Sequence, residues 1–517
     1  MDEEKGGNLL AIVNSCAVLG VDGYPVQVEV DVSAGLPAFD IVGLPDAAVK
    51  ESKERVRAAI RNSDLEFPLR RITVNLAPAG IKKEGSLFDL PIAIGILAAT
   101  SQIPQTGLTG GVFVGELSLE GAIRPISGAL AMADCVAKMH EKFYLPADNA
   151  GEASIAGGMD YYQVDSLRQM LPFLCGEKKA QPVTVDTVKL LTEAQNLQFL
   201  DMADVKGQEG VKRALEVAAA GGHNIVLVGS PGSGKTMLAK RLPTIMPALT
   251  LNEAMEVTKL YSVAGILPKN QPLITARPFR APHHGASSAS IIGGGAHPKP
   301  GEISLASHGI LFLDEMPEFS RDVLEALRQP LEDNLVVVSR VSGRIEFPAS
   351  FQLVGAMNPC PCGYYGDNLK ECSCSEYTIR KYLSKLSGPL WDRIDLHIEV
   401  PRVKYTDLAE QRAGESSAVI KTRVLAARAI QEERLRERGL SCNAMMNHSD
   451  LEKYCQIDHE GREMVRQIFI HLQLSARSHD RILKVARTIA DLAASEIITA
   501  EHIAEAIQYR NLDRKLL

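Results

Sequence analysis

The chain has 517 residues, 45% of them hydrophobic and 23% charged, with a formal net charge of -7. Ordinary domain sizes make that roughly two to four domains, each able to bury a core, in a soluble globular protein. The balance excludes a bulk basic nucleic-acid binder, so any nucleic-acid contact must be local. The acidic start, Met1-Asp2-Glu3-Glu4-Lys5, lacks the hydrophobic region of a signal peptide. No apolar run approaches the roughly eighteen residues of a membrane span. A cytoplasmic protein with no membrane contact is expected. Nine cysteines are an odd number, and Cys16, Cys135, Cys175, Cys442 and Cys455 are scattered as reduced thiols would be.

From about residue 8 to residue 175, strand-like runs (Val26 to Val32, Arg71 to Leu76, Gly111 to Leu119) alternate with helical ones (Pro45 to Asn62, Leu90 to Ala98, Ala129 to Lys138). This alternation predicts an α/β or α+β domain, assigned to residues 1–175. The segments Ser33-Ala34-Gly35-Leu36-Pro37, Val42-Gly43-Leu44-Pro45 and Gly115-Glu116-Leu117-Ser118-Leu119-Glu120-Gly121 resemble the amino-terminal domain of ComM-type, magnesium-chelatase-like AAA+ ATPases. That domain is similar to the proteolytic domain of Lon, of the ribosomal protein S5 domain 2-like type. Lon-type hydrolysis needs a serine nucleophile and a lysine base. Where Lon has lysine-aspartate-glycine-proline-serine, this chain reads Lys83-Glu84-Gly85-Ser86-Leu87, with Leu87 at the nucleophile, and Leu130 stands where the base would be. A shift of one residue brings in Ser86 but no lysine, so the domain is expected to be a scaffold or binding module without the protease dyad.

The polar, proline-marked residues 176–196 predict a linker, and an α/β ATPase core is assigned to residues 197–402. Gly207 and Gln208 precede a helical run from Val211 to Ala220 and either open that helix or, as in AAA+ proteins, lie beside the adenine. Next comes Gly229-Ser230-Pro231-Gly232-Ser233-Gly234-Lys235-Thr236, between the apolar run Asn224 to Val228 and a helix expected from Met237 to Leu242. A loop of this spacing wraps backbone N–H groups around a polyphosphate. Lys235 reaches the outer phosphates and Thr236 offers its hydroxyl to Mg²⁺, so ATP and Mg²⁺ are the expected cofactors. The apolar strand Ile310-Leu311-Phe312-Leu313 delivers Asp314, a candidate Mg²⁺ ligand, and Glu315, a candidate activator of the attacking water. A third strand, Phe351 to Met357, ends in Asn358, which is a turn residue before Pro359 or, in AAA+ terms, sensor 1.

Ser387-Gly388-Pro389-Leu390-Trp391-Asp392-Arg393-Ile394-Asp395-Leu396 resembles the segment that carries the arginine finger in the magnesium-chelatase, ComM and MCM group. The resemblance implies that Arg393 acts on ATP held by a neighbouring subunit, and hence an oligomer; a lone arginine between aspartates otherwise reads as a salt bridge. From Val403 to the end a helical lid is expected, with helices over Ser416 to Arg438, Leu451 to Tyr454, Gly461 to His471, His479 to Ala494 and Ala500 to Gln508. In it Leu474-Ser475-Ala476-Arg477 opens a helix. The family places the sensor 2 arginine at Arg477, with Arg481 one turn later as competitor.

Two insertions stand out. Residues 277–301, with Arg280, His283, His284, Gly293-Gly294-Gly295, His297 and Lys299, are too rich in glycine and proline for regular core, and match the family's channel-facing insertion. Residues 336–347, with Arg340 and Arg344, read as two strand-like runs around a turn, like the hairpin before sensor 1. Lys299, Arg340 and Arg344 would put positive charge where DNA phosphates pass, the alternative being a plain surface hairpin. His283 and His284 read as structural. Cys360-Pro361-Cys362 and Cys372-Ser373-Cys374 can close a tetrahedral Zn²⁺ site, with free thiols or redox pairing as alternatives.

In this order the motifs resemble the ComM (YifB) subfamily over nearly the whole chain. The resemblance implies a hexameric, ATP-driven DNA motor that promotes branch migration on single-stranded or branched DNA. A magnesium-chelatase-type motor subunit and a protein-remodelling ATPase remain as alternatives.

Overall fold

The computed structural model describes residues 9–194, 200–295, 298–340, 343–367, 370–403, 414–472 and 475–510. Among the positions read from sequence, Met1 to Lys5, His297, Val341, Ser342, Leu474 and the side chain of Arg340 lie outside the described residues. Two compact units are present, one of Met1–Thr192, Thr250–Thr275 and Val341–Glu346, the other of Glu193–Leu249, Ala276–Arg340 and Phe347–Leu517. Among the described residues, no helix is long and apolar enough to cross a membrane.

The first unit is built on nine strands: β1 (Leu9–Leu19), β2 (Asp22–Ser33), β3 (Ala38–Val42), β4 (Arg71–Ala77), β5 (Gly111–Phe113), β6 (Glu116–Leu117), β7 (Ile123–Arg124), β8 (Lys142–Pro146) and β9 (Asp160–Val164). Seven of them form one mixed sheet in the order β3-β4-β2-β1-β5-β8-β9. The alternation in β2 decides its orientation: Val26, Val28, Val30 and Val32 are all buried, while Gln27, Glu29 and Asp31 point the other way. Helices Ala47–Asn62 and Asp89–Ala99 pack on the apolar face, the first capped by the Asp46 carboxylate, which accepts from Val49 N–H. The run Gly111 to Leu119, expected as one strand, is broken after Phe113. Gly115 N–H donates to Leu87 O and its carbonyl accepts from Leu90 N–H, which draws the chain out of the sheet and toward the short β6–β7 ribbon.

Residues 250–275, which chain order assigned to the ATPase core, cluster instead with this first unit. Their helix Leu251–Ala264, opened by a Thr250–Glu253 capping box, buries Ala254, Val257 and Leu260. The Ser262 carbonyl accepts from Gly128 N–H, at the start of helix Ala129–Val136, and Lys259 pairs with Asp134 at 2.5 Å. Of the positions weighed for a Lon-type dyad, Leu130 is buried and Ser86 Oγ donates to Glu116, while the nearby buried Lys83 donates to the Pro78 carbonyl.

The second unit carries β10 (Ile225–Val228), β11 (Phe279–Arg280), the ribbon β12 (Gly293–Gly294) and β13 (Lys299–Pro300), β14 (Ile310–Leu313), the hairpin strands β15 (Leu335–Arg340) and β16 (Gly343–Pro348), β17 (Gln352–Met357) and β18 (Leu396–Glu399). Five form an all-parallel sheet in the order β11-β14-β17-β10-β18. Strands β10, β14 and β17 are buried at every position, as parallel strands covered on both faces must be. Although rich in glycine and proline, the first insertion is not wholly outside the core, because Phe279 and Arg280 form the sheet's edge strand beside Ile310 and Leu311. Of β16, residues 343–346 cluster with the first unit, where Ile345 Cγ2 fills the space a Cβ on Gly20 would need, 2.8 Å away.

Helices Ser417–Leu435, His448–Tyr454, His459–Leu472, Ala476–Leu492 and Ala500–Gln508 make up the carboxyl-terminal part of this unit. Within the segment expected as a linker, Thr187–Ala194 is helical.

Candidate nucleotide site

Strand β10 stands between β17 and β18, and from its carboxyl end the chain turns through the glycine loop into helix Lys235–Ala239. In an open parallel sheet the crevice beside such a point of reversal is where ligands bind. Gly232 and Gly234 take φ of 77° and 92°, which a side chain would strain, so the glycines at these two positions are required by the turn. The helix is shorter than the expected Met237 to Leu242, breaking before a second helix, Leu242–Ile245. Pro243 lacks the N–H a continuous helix would need there, and Arg241 folds back to donate to the carbonyls of Asp201 and Met237.

Pro231 to Met237, Asp314, Glu315, Met357 and Asn358 line one cleft of about 450 Å³. Lys235 Nζ donates to Gly229 O at 2.7 Å, to Ser230 O at 3.1 Å and to Asn358 Oδ1 at 3.2 Å. Burial lowers its pKa, and the carboxylates of Asp314 and Glu315 act against that shift. Thr236 Oγ1 donates to Asp314 Oδ2 at 2.8 Å, so a hydroxyl and a carboxylate meet where a hard divalent cation takes its oxygen ligands. Glu315 has a left-handed backbone, φ 50° and ψ 44°, at the start of the 3-10 turn Met316–Glu318. Gln208, also left-handed, donates through Nε2 to Ser233 O at 2.8 Å and Pro401 O at 3.0 Å, which fixes the segment carrying Gly207 beside the phosphate loop. Gly229 to Thr236, Asp314, Glu315, Asn358 and Gln208 are thus brought together.

Comparison with known proteins decides the family. The magnesium chelatase subunit ChlI model matches residues 201–408, a second ChlI model matches residues 28–149, and the ChlI carboxyl-terminal model matches residues 414–510. The chain is 45% identical to the uncharacterized protein YifB of Escherichia coli and 44% identical to that of Salmonella typhimurium, each over 98% of both chains. It is 44% identical to the competence protein ComM of Haemophilus influenzae, again over 98% of both. The chain belongs to the ComM/YifB magnesium-chelatase-like family. Its second unit is therefore a P-loop AAA+ ATPase core with a helical lid, preceded by a Lon-like domain, and the family implies ATP and Mg²⁺. The glycine loop and the Thr236–Asp314 oxygen pair fit both.

The arginines expected of a ComM/YifB ATPase lie elsewhere. Arg393 is only 6% exposed and is bonded through its guanidinium to Glu332 and the Pro389 carbonyl. Its Nε has no partner among the described residues. Arg477 is exposed near the start of helix Ala476–Leu492, whose N-cap Ser475 accepts from Ser478 N–H. Arg481, the competitor, binds Asp395 Oδ1 at 2.6 Å. Burial would raise the Asp395 carboxyl, but Arg481 and His223 hold it well below the usual carboxylate range. The bond from Arg393, and the fields of Arg393, Arg477 and Arg481 against a burial effect, lower the Glu332 pKa. One guanidinium thus bonds this carboxylate while two others act on it through their charge, and none of the three lines the chain's own nucleotide cleft.

The sulfurs of Cys360, Cys362, Cys372 and Cys374 all lie within 4.8 Å of one another, with Cys360 to Cys362 at 3.3 Å and Cys372 at 3.6 Å from both. Against a burial effect that would raise it, backbone donors from Tyr364 and Ser373 bring the Cys362 thiol down to about 6. Such a set could hold a tetrahedral metal ion. This loop also abuts the nucleotide site: a Cβ on Gly363, whose φ is 85°, would stand 2.6 Å from Pro231 Cδ.

Lys299 is exposed on β13 in the second unit. Arg344 is exposed in the first unit and pairs with Glu346 at 2.8 Å. Sequence reasoning missed three residues at the site. Glu332 carried no motif. Arg402 Nε donates to Ser230 Oγ at 3.0 Å and lies 3.0 Å from Asp367 Oδ2. His284, read as structural, has Nδ1 3.6 Å from Glu315 Oε2, and its place in the unusual insertion was the available signal.

Proposed function

We propose that this protein is an ATP-hydrolysing motor that assembles as a ring, hexameric in the family's pattern, in the cytoplasm, and moves on DNA to promote branch migration during recombination or natural transformation. The convergence of Lys235, Thr236, Asp314, Glu315 and Asn358 on one cleft carries the ATPase part of this reading. The backbone of Gly229 to Thr236 cradles the phosphates, and Lys235, already held by three oxygens, exchanges some of them for phosphate oxygens. Thr236 and Asp314 would hold Mg²⁺, which would supply charge neutralisation to the phosphates. Glu315 accepts a proton from the attacking water, Asn358 orients that water, and Gly207 and Gln208 flank the adenine.

Because Arg393 lies outside the lining of its own cleft, we assign it as the finger for ATP bound by the adjacent subunit, and Arg477 is assigned as sensor 2. Arg393 must then leave Glu332 in the assembled ring. Lys299, Arg340 and Arg344 are assigned to the DNA backbone, and the likeness to a competence protein supports DNA as the partner. Zn²⁺ is assigned to Cys360, Cys362, Cys372 and Cys374, and the Lon-like domain serves as scaffold or binding module.

The test is ATP turnover with no ligand, single-stranded DNA, a branched DNA junction or an unfolded protein, at two salt concentrations, with strand products resolved for the junction. Salt-sensitive stimulation by DNA with ATP-dependent junction resolution is expected. Stimulation by unfolded protein alone would overturn the DNA assignment in favour of protein remodelling. Silence toward all three would favour a chelatase-type motor that needs other subunits.

A further inference from the structure

His284 reaches Glu315 along the sheet edge. Strand β11 runs parallel to β14 with Arg280 beside Leu311, and the chain continues from Arg280 through Ala281, Pro282 and His283 to His284 as β14 continues to Asp314 and Glu315. Both segments therefore emerge at the same carboxyl edge, one carrying an imidazole and the other the carboxylate assigned to water activation. Nδ1 of His284 stands 3.6 Å from Glu315 Oε2. Its ring is 4.1 Å from that of His283 and meets Phe319 edge-on at 6.5 Å, so neighbours on two sides orient it. Below it the base of the insertion is fastened by a two-pronged contact from Arg280 to Glu302, at 2.6 and 2.8 Å. Glu315 needs such support, for its side chain is 56% exposed and its backbone is left-handed, so packing alone does not fix where the carboxylate points.

We propose that His284 is a positioning residue that holds the Glu315 carboxylate toward the attacking water and ties its orientation to the insertion formed by residues 277–301. The inference rests on the reading of Glu315 as the water-activating residue. Nδ1 of His284 faces Oε2, and the carboxylate keeps its second oxygen for the water. No bond of the substrate is touched by the imidazole. Beyond His284 the chain enters helix Ser288–Ile292 and the β12–β13 ribbon with Lys299, so a displacement of that ribbon would be felt at Glu315 through one side chain.

The experiment compares full-length wild type, His284→Ala, His284→Asn, Glu315→Gln and the double variant His284→Ala/Glu315→Gln in ATP turnover and in binding of a fluorescent ATP analogue with Mg²⁺. Asparagine places its amide nitrogen near the position of Nδ1 and keeps the donor. His284→Ala should lower kcat by about tenfold or more, as loss of a supporting contact does, with nucleotide affinity within about twofold of wild type. His284→Asn should recover most of the rate, and the alanine change should add nothing in the Glu315→Gln background. Unchanged kcat in His284→Ala, while Glu315→Gln is inactive, would overturn the role of His284 and leave that of Glu315 intact. Full turnover in Glu315→Gln would overturn both. Equal loss in the alanine and asparagine variants, or weakened nucleotide binding in both, would show a packing role and overturn the proposal.

Discussion

Thr236 Oγ1 and Asp314 Oδ2 are joined by a 2.8 Å hydrogen bond, closing 78 residues of chain so that the end of the phosphate loop meets the end of β14. On the proposed reading, these two oxygens would act through one cation. Thr236→Ala and Asp314→Asn should each lower Mg²⁺-dependent turnover by about a hundredfold or more, matching the several kcal/mol that metal stabilisation of charge supplies. The double variant should lose little beyond either single one. Titration of Mg²⁺ against turnover checks this, and additive losses would place the two residues in separate roles.

Arg393 offers a second check. Its substitution by alanine should cost about a thousandfold in turnover while leaving nucleotide binding in the same subunit intact. Mixing Arg393→Ala subunits with Lys235→Ala subunits should restore part of the activity, since some interfaces then pair an intact finger with an intact phosphate loop. Mixed rings detected by a tagged subunit but without recovered activity would remove Arg393 from the neighbour's site.

The cysteine set predicts about one zinc per chain in protein purified without chelator, and its loss when Cys362 and Cys372 are replaced by serine. Elemental analysis gives the answer directly. Gly363→Ala tests the contact of this loop with the phosphate loop. The added methyl meets a proline ring at 2.6 Å on a backbone with φ of 85°, so ATP affinity should fall several-fold while the zinc content holds. Unaltered affinity would show that the loop gives way without moving Pro231.

Acid should act on the lid through Asp395. Its carboxyl is held below its unfolded value of about 3.9, so the unfolded chain binds the proton more readily. The stabilisation is whole above about pH 4 and is lost as pH falls through the folded value. Arg481→Met leaves a buried carboxylate with less compensation and should cost about 3–5 kcal/mol, with acid unfolding moved to higher pH. Thermal melts between pH 3 and pH 7 would reveal it, and parallel melting curves would show that His223 suffices.

The ATPase core was legible because its signals are local. The glycine loop, the buried run before Asp314 and the strand before Asn358 each fix a turn and a strand within a dozen residues, and a parallel sheet brings their carboxyl ends together. Less legible was whatever depends on distant partners. Glu332 has no motif and is defined by the arginines around it, and His284 acquires its neighbour only because β11 pairs with β14. The break in Gly111 to Leu119 follows from two hydrogen bonds of Gly115, to Leu87 and from Leu90, which no periodicity encodes. The break after Ala239 was visible in principle, since Pro243 cannot continue the bonding of the preceding turn.

The first unit draws on three separate stretches, residues up to Thr192, then Thr250–Thr275, then Val341–Glu346. During translation, then, this unit is completed late. The N–H of Gly128 finds the Ser262 carbonyl, and Asp134 finds Lys259, only after the phosphate loop has already left the ribosome. The usual order in which an amino-terminal domain folds to completion before the next emerges does not apply, and a fragment ending near Thr192 would present the surface meant for helix Leu251–Ala264 to water. The two units are interleaved along the chain and therefore in the order of their synthesis.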